Sequence, residues 1–113
     1  MELTDKRSAE HYSWGSGCDG WHLVKTPALS VIEERMPPRT SEVRHYHQKA
    51  SQFFYVLSGV LSIEVDGEVF ELNARQSLPI AAGKSHQVQN LAAESVEFLV
   101  ISHPPSHGDR VTA

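Results

Sequence analysis

The chain carries one cysteine, Cys18, in 113 residues, so no intrachain disulfide can form and nothing in its thiol content points to an oxidising compartment. Cys18 reads as a packed thiol, since a nucleophile needs a base placed beside it. Basic residues are also scarce: 10 Lys and Arg stand against 14 Asp and Glu, a formal net charge of −4. A phosphate backbone would find no cationic surplus to grip, which sets nucleic acid aside as a partner. Long apolar runs are missing too. No stretch approaches the roughly 20 residues that cross a bilayer. The opening segment, MELTDKRSAEHYSWGSG, lacks the apolar stretch of a signal peptide. A soluble, cytoplasmic protein without membrane contact is the expectation. No segment sustains an apolar period of 3.6 residues, which predicts little helix.

What is present is the texture of a β-domain. The length suits one domain with its own core, and 40% hydrophobic residues are enough to build it. Residues 1–20, rich in glycine and serine around Trp14 and Cys18, read as an irregular arm, with room for a short helix near Asp5 to His11. From Trp21 the chain breaks into short β-prone runs separated by turn signals such as Pro37-Pro38, Ser58-Gly59 and Ala82-Gly83. The sharpest is Asp66-Gly67 between Ile63-Glu64-Val65 and Glu68-Val69-Phe70, a two-residue hairpin turn that requires positive φ. Residues 21–103 are therefore expected to form the domain. Residues 104–113, with two prolines, read as a tail, solvated or wrapping an edge. Folding of Asp109 and Arg110 back over the domain mouth is the less favoured reading.

Seven histidines are many for this length. Residues two apart on a strand share a face, so His45 and His47 in RHYHQ present two imidazoles to one side while Tyr46 turns away. Neutral imidazoles are good ligands for zinc, nickel, iron or copper. The pair alone would also suit two ordinary hydrogen-bonded histidines. Its continuation decides: Gln52 opens the next strand, FFYVLSG follows, and GKSHQVQN later brings His86 to the start of another.

This combination resembles the cupin superfamily, whose motifs are written G-x5-H-x-H-x3,4-E-x6-G and G-x5-P-x-G-x2-H-x3-N. The first falls on Arg39, His45, His47, Gln52 and Gly59, the second on Arg75, Ala81, Gly83, His86 and Asn90, with every spacing kept. The resemblance runs from about Ser30 to Ser102. It implies an all-β, single-domain, double-stranded β-helix (a jelly-roll barrel) that holds one divalent ion (Zn, Ni, Fe or Mn) through His45, His47, Gln52 and His86. It also implies a homodimer, paired through an edge strand from the N-terminal segment. The departures are specific. Gln52 stands where the family has glutamate, Arg39 and Arg75 replace the leading glycines, and Ala81 replaces a proline.

Gln52 bears on the chemistry. An amide oxygen can ligate but brings no charge, so the ion would keep its full +2. Affinity would fall somewhat and Lewis acidity would rise. Alternatively, Gln52 hydrogen-bonds a ligand histidine or a metal-bound water. The resemblance implies a Lewis-acid metalloenzyme, isomerase- or lyase-like, acting on a small oxygenated or sugar-derived substrate. A non-catalytic ligand-binding barrel and a non-haem dioxygenase are the alternatives. Small cupins that linearise unsaturated uronates are similar in using two histidines, a glutamine and a further histidine. They also use an acidic residue near the last strand, and here none follows Glu97. The pocket is expected to be lined by Phe54, Val56, Val88 and Asn90, although Asn90 is read as holding a turn or strand end. Tyr55, Glu33, Glu34, Glu97 and His103 are the available acids and bases, with no basis for choosing among them. His11, His22, His103 and His107 match no ligand position.

Overall fold

The computed structural model describes residues 2–106 and 108–113, so His107 lies outside the described residues. Twelve strands are found among those described and no helix. They are β1 (Glu10–Trp14), β2 (Cys18–Lys25), β3 (Ser30–Met36), β4 (Thr40–Ser41), β5 (His45–His47) and β6 (Ser51–Ser58), followed by β7 (Leu61–Val65), β8 (Glu68–Leu72), β9 (Ser77–Ile80), β10 (His86–Asn90), β11 (Val96–His103) and β12 (Arg110–Thr112). One sheet runs β1-β2-β3-β11-β6-β9. The other runs β12-β5-β10-β7-β8, with β4 also paired to β10. The two sheets pack as a jelly roll without closing into a continuous barrel. This is the double-stranded β-helix expected from the motifs.

Alternation along the strands separates core from surface. On β11, Val96, Phe98, Val100 and Ser102 are buried and the residues between them are not; on β6 the buried row is Gln52, Phe54 and Val56. On β10 it is His86, Val88 and Asn90. Each row changes chemistry along its length. Its apolar members pack with Met36, Leu61 and Ile63 into one core cluster, whereas Gln52, Ser102 and His86 place polar groups toward one end of the sandwich. Asn90 closes the opposite end of its row. Its Nδ2 donates to the carbonyls of Met36, Pro37 and Glu94, and its Oδ1 accepts from the Ala92 N–H. It holds a strand end, as read from the sequence, and does not line the pocket.

The Asp66-Gly67 turn forms as expected, with both residues at positive φ (49° and 89°). Arg39 and Arg75, which stand at the motif glycines, also keep positive φ, at 58° and 69°. The turns are therefore retained, and the arginines occupy left-handed backbone at the cost of steric crowding. Arg75→Gly should relieve that cost. Allowing for the greater freedom of glycine in the unfolded chain, the expected gain is about 0.5 kcal/mol, measurable as a higher midpoint in urea.

The N-terminal segment differs from expectation. Residues 10–14 and 18–25 make a β-hairpin, with Tyr12 opposite Gly20 and Trp14 opposite Cys18, where an irregular arm or short helix was anticipated. The physical reason is alternation in EHYSW, which places Tyr12 and Trp14 on one face against the sandwich; the surrounding glycines and serines obscured it. Residues 110–112 follow the edge-wrapping reading and not the solvated one. They pair with β5, and Arg110 stands opposite His47. The Asp109 carboxylate accepts from the N–H groups of Lys49 and Ala50, which anchors the segment. No helix of the described residues is long and apolar enough to cross a membrane.

Candidate metal centre and pocket

His45 and His86 stand directly opposite each other in the β5–β10 pair, and His47 follows two residues on along the same face. Ring centroids lie 4.5 Å apart for His45 and His86, 4.8 Å for His45 and His47 and 5.8 Å for His47 and His86. One nitrogen of each ring falls within 4.8 Å of the others, a grouping able to hold a metal ion. All three side chains are buried.

Two of the rings have their tautomer dictated by the backbone. A carbonyl can only accept, so His45 Nδ1–H donates to Val43 O at 2.8 Å and His86 Nδ1–H donates to Lys84 O at 3.0 Å. The Nε2 lone pairs are left free, and in His86 that atom is buried without a hydrogen-bond partner. Nδ1 of His47 is likewise buried and unpartnered. Burial pushes the pKa of His45 and of His47 down to about 4, and that of His86 down as well, against the opposing pull of the backbone carbonyls on His45 and His86. The cluster is neutral at physiological pH, the state that ligates.

Gln52 comes from the other sheet. It stands opposite Ser102 in the β6–β11 pair, and its Nε2 donates to Ser102 Oγ at 3.1 Å. That bond fixes the amide, leaving Oε1 buried with no partner. A buried carbonyl oxygen without a donor is costly. Here it lines the same cavity as His45 and His47. Orphaned acceptors on Gln52 and His86, beside a neutral imidazole trio, are the donor set a divalent cation satisfies.

The cavity has a volume of about 270 Å³. Trp14, Ile32, Phe54, Val88 and Val100 supply apolar walls, and Tyr12, Glu34, Glu42 and Arg110 supply polar ones. Val56, expected to line it, is instead fully buried in the core, because it lies farther along β6 toward the apolar end. Of the five acids and bases named from the sequence, Glu34 alone lines the cavity. Glu33 and Glu97 lie on the outer face of their sheet, where both reach Lys6. His103 is exposed, and Tyr55 falls between the inward residues Phe54 and Val56.

Sequence reasoning missed Tyr12, Trp14 and Glu42, while the return of Arg110 to the pocket follows the reading that the sequence favoured less. Glu42 Oε2 accepts from the Val88 N–H at 3.0 Å and lies 3.8 Å from His45 Nδ1. Burial drives its pKa up to about 8, against the pull of the Val88 bond and of Arg110. Arg110 donates to Val43 O, the same carbonyl that orients His45. The spacing of Tyr12 from Trp14 was the one available signal.

These features define a small double-stranded β-helix protein with a histidine-lined pocket fit for a metal. Residues 32–102 match the family described as "Cupin domain", and the chain belongs to that family. Among curated proteins it is similar to the polyketide synthase CurC of Streptomyces cyaneus, 34% identical over 64 residues, which are 57% of this chain and 42% of CurC. The chain therefore matches less than half the length of that relative. Among solved structures it is similar to the polyketide cyclase RemF of Streptomyces resistomycificus, with a TM-score of 0.86 and 15% identity over 100% of this chain and 85% of that one. It is also similar to a cupin-superfamily sugar phosphate isomerase from Silicibacter pomeroyi, with a TM-score of 0.80 and 22% identity over 92% and 76% of the two chains. At these identities the structures establish a shared fold.

Proposed function

We propose that the protein is a metal-dependent enzyme that binds a small carbonyl- or hydroxyl-bearing substrate in the cavity, with His45, His47, His86 and Gln52 holding a divalent ion at its base. The observation that carries this reading is the set of unsatisfied buried acceptors described above. When bound, the ion would supply Lewis-acid polarisation of a substrate oxygen. The protein's own contributions are separate. The Val43 and Lys84 carbonyls fix two imidazoles by accepting hydrogen bonds from their Nδ1–H groups, and Ser102 fixes the Gln52 amide. The apolar walls exclude water from the substrate. Polyketides and sugar phosphates, named for the relatives above, share carbonyl and hydroxyl oxygens, which supports a substrate of that chemistry.

The test is metal analysis of the untagged protein after growth in medium supplemented with zinc, nickel, iron and manganese. One equivalent is expected, and a metal-free protein would overturn the reading. Gln52→Glu sharpens it. The added negative charge should tighten zinc binding by about tenfold, since one extra charge attraction, net of the cost of burying the carboxylate, is worth about 1 to 2 kcal/mol. Unchanged affinity in a chelator competition would place Gln52 outside the ligand set.

A further inference from the structure

Tyr12, Gly20 and Glu34 form one row across three strands. Tyr12 stands opposite Gly20 in the β1–β2 pair, and Gly20 opposite Glu34 in the β2–β3 pair. Residues opposed in this way point to the same face. Two strand spacings, roughly 9.6 Å, separate the outer pair, and an ordinary side chain on the middle strand would stand between them. Gly20 leaves the way open: a Cβ there would collide with the Tyr12 ring. The phenol reaches across the middle strand and donates its O–H to Glu34 Oε2 at 2.6 Å. His22 packs against the same ring, with centroids 5.2 Å apart. Both Tyr12 and Glu34 line the cavity that His45, His47 and Gln52 also line.

A carboxyl group in this position is expensive for the fold. Its inward neighbours on β3 are Ile32 and Met36, and an apolar residue at 34 would continue their row without a desolvation cost. The titratable and charged groups that bear on Glu34 are Tyr12 on β1, Cys18 on β2, Glu42 after β4 and Arg110 on β12. Burial raises the Glu34 pKa to about 7, against the Tyr12 hydrogen bond and the Arg110 charge. Burial and the neighbouring Glu34 charge hold the Tyr12 phenol above its ordinary range, so it stays a donor. A carboxyl that visits both protonation states near neutrality suits proton transfer.

We propose that Glu34 is the proton-transferring catalytic residue of the pocket, that Tyr12 positions it, and that the substrate is a small hydroxyketone or 1,3-dicarbonyl compound. The inference rests on the metal-dependent reading only for how the substrate is held. Glu34 as carboxylate takes the proton from the carbon beside the carbonyl. The C–H bond breaks, its electron pair becomes the C=C bond, and the carbonyl π pair moves to oxygen to give an enolate. The proton on Glu34 then returns to carbon. Delivered instead to the former carbonyl carbon of a hydroxyketone enediolate, while the hydroxyl proton passes to the oxygen on that carbon and the carbon that lost its proton becomes the new carbonyl, it yields the isomer. No co-reactant is consumed.

The experiment has two arms. In the first, the Glu34 carboxyl is titrated by 13C NMR in protein labelled at glutamate and assigned by its loss in Glu34→Gln, with zinc-loaded and chelator-treated samples run in parallel. A midpoint near neutrality is expected in the chelator-treated chain, moved up by about one unit in Tyr12→Phe through loss of a hydrogen bond to the charged form. A midpoint in the ordinary carboxylate range, or one that Tyr12→Phe leaves in place, overturns the pairing. In the second, deuterium uptake from D2O into 1,3-dihydroxyacetone and acetoin is followed by 1H NMR on zinc-loaded protein. Wild type should exceed buffer, and Glu34→Gln should be slower by about 100-fold at equal zinc content. Equal rates, or no exchange above buffer by wild type, overturn the proton-transfer role. Failure of wild type to retain zinc counts instead against the metal-dependent reading, because the chelator-treated titration needs no metal.

Discussion

His86→Ala should abolish stable metal binding, with zinc affinity reduced by well over 100-fold in a chelator competition. Changing a residue that merely orients a ligand costs about 10- to 100-fold, and removal of a ligand itself must cost more. His86 is the sharper choice among the three histidines because it joins two strands. His45 and His47 lie on one short strand, β5, whereas His86 approaches from β10 directly opposite His45. Without it, two imidazoles and an amide oxygen remain, and the Lys84 carbonyl loses its donor. Near-ultraviolet circular dichroism and the urea midpoint check that the variant is folded. His86→Asn keeps a polar group beside Lys84 and should lose metal to a similar extent. A folded variant of either kind that retained one equivalent would remove His86 from the ligand set.

The second large effect concerns stability and pH. In the folded chain Glu34 has a pKa near 7, above its ordinary value of 4.5, because burial disfavours its charge. A raised carboxyl pKa means that the folded state holds the proton more tightly than the unfolded state. The penalty is therefore absent below about pH 4.5, grows as pH rises toward 7 and is complete above that. Glu34→Gln removes it while leaving an oxygen to accept from Tyr12. At pH 8 the variant should be about 3 kcal/mol more stable than wild type, a melting point higher by roughly 12 °C for a chain of this size. At pH 4.5 the two should coincide. A constant difference across this range would mean that packing, not ionisation, separates them. Stabilisation by loss of a pocket residue is what a site maintained for chemistry predicts.

The parts of the fold legible in the sequence were those set by short-range spacing. His45 and His47 are fixed to one face by the two-residue period of a strand, and Asp66-Gly67 announces its turn by the backbone it requires. Gln52 and His86 could be placed only through the family's motifs, since nothing local shows that β6 and β10, on opposite sheets, converge. The polar wall was legible only in part: Glu34 stood among the available acids and the return of Arg110 was the less favoured reading, but nothing local placed either in the cavity. Tyr12 reaches Glu34 only after a glycine-rich arm has folded as a hairpin, and Arg110 enters the cavity only because β12 returns to β5 across more than sixty residues of intervening chain. Such long-range pairings depend on the whole packed sandwich. The reading of residues 1–20 and 104–113 as accessories followed from their composition, and their contribution of Tyr12, Trp14 and Arg110 to the cavity depends on pairing that composition does not encode.

The candidate ligands are shared between the two faces of the sandwich, Gln52 on one and the three histidines on the other. A cation gripped from both sides would act as a rivet, tying together layers otherwise held by side-chain packing. Amides of β5, β6 and β10 should then exchange with solvent more slowly in the loaded protein, so that occupancy sets the rigidity of the cavity as well as its chemistry.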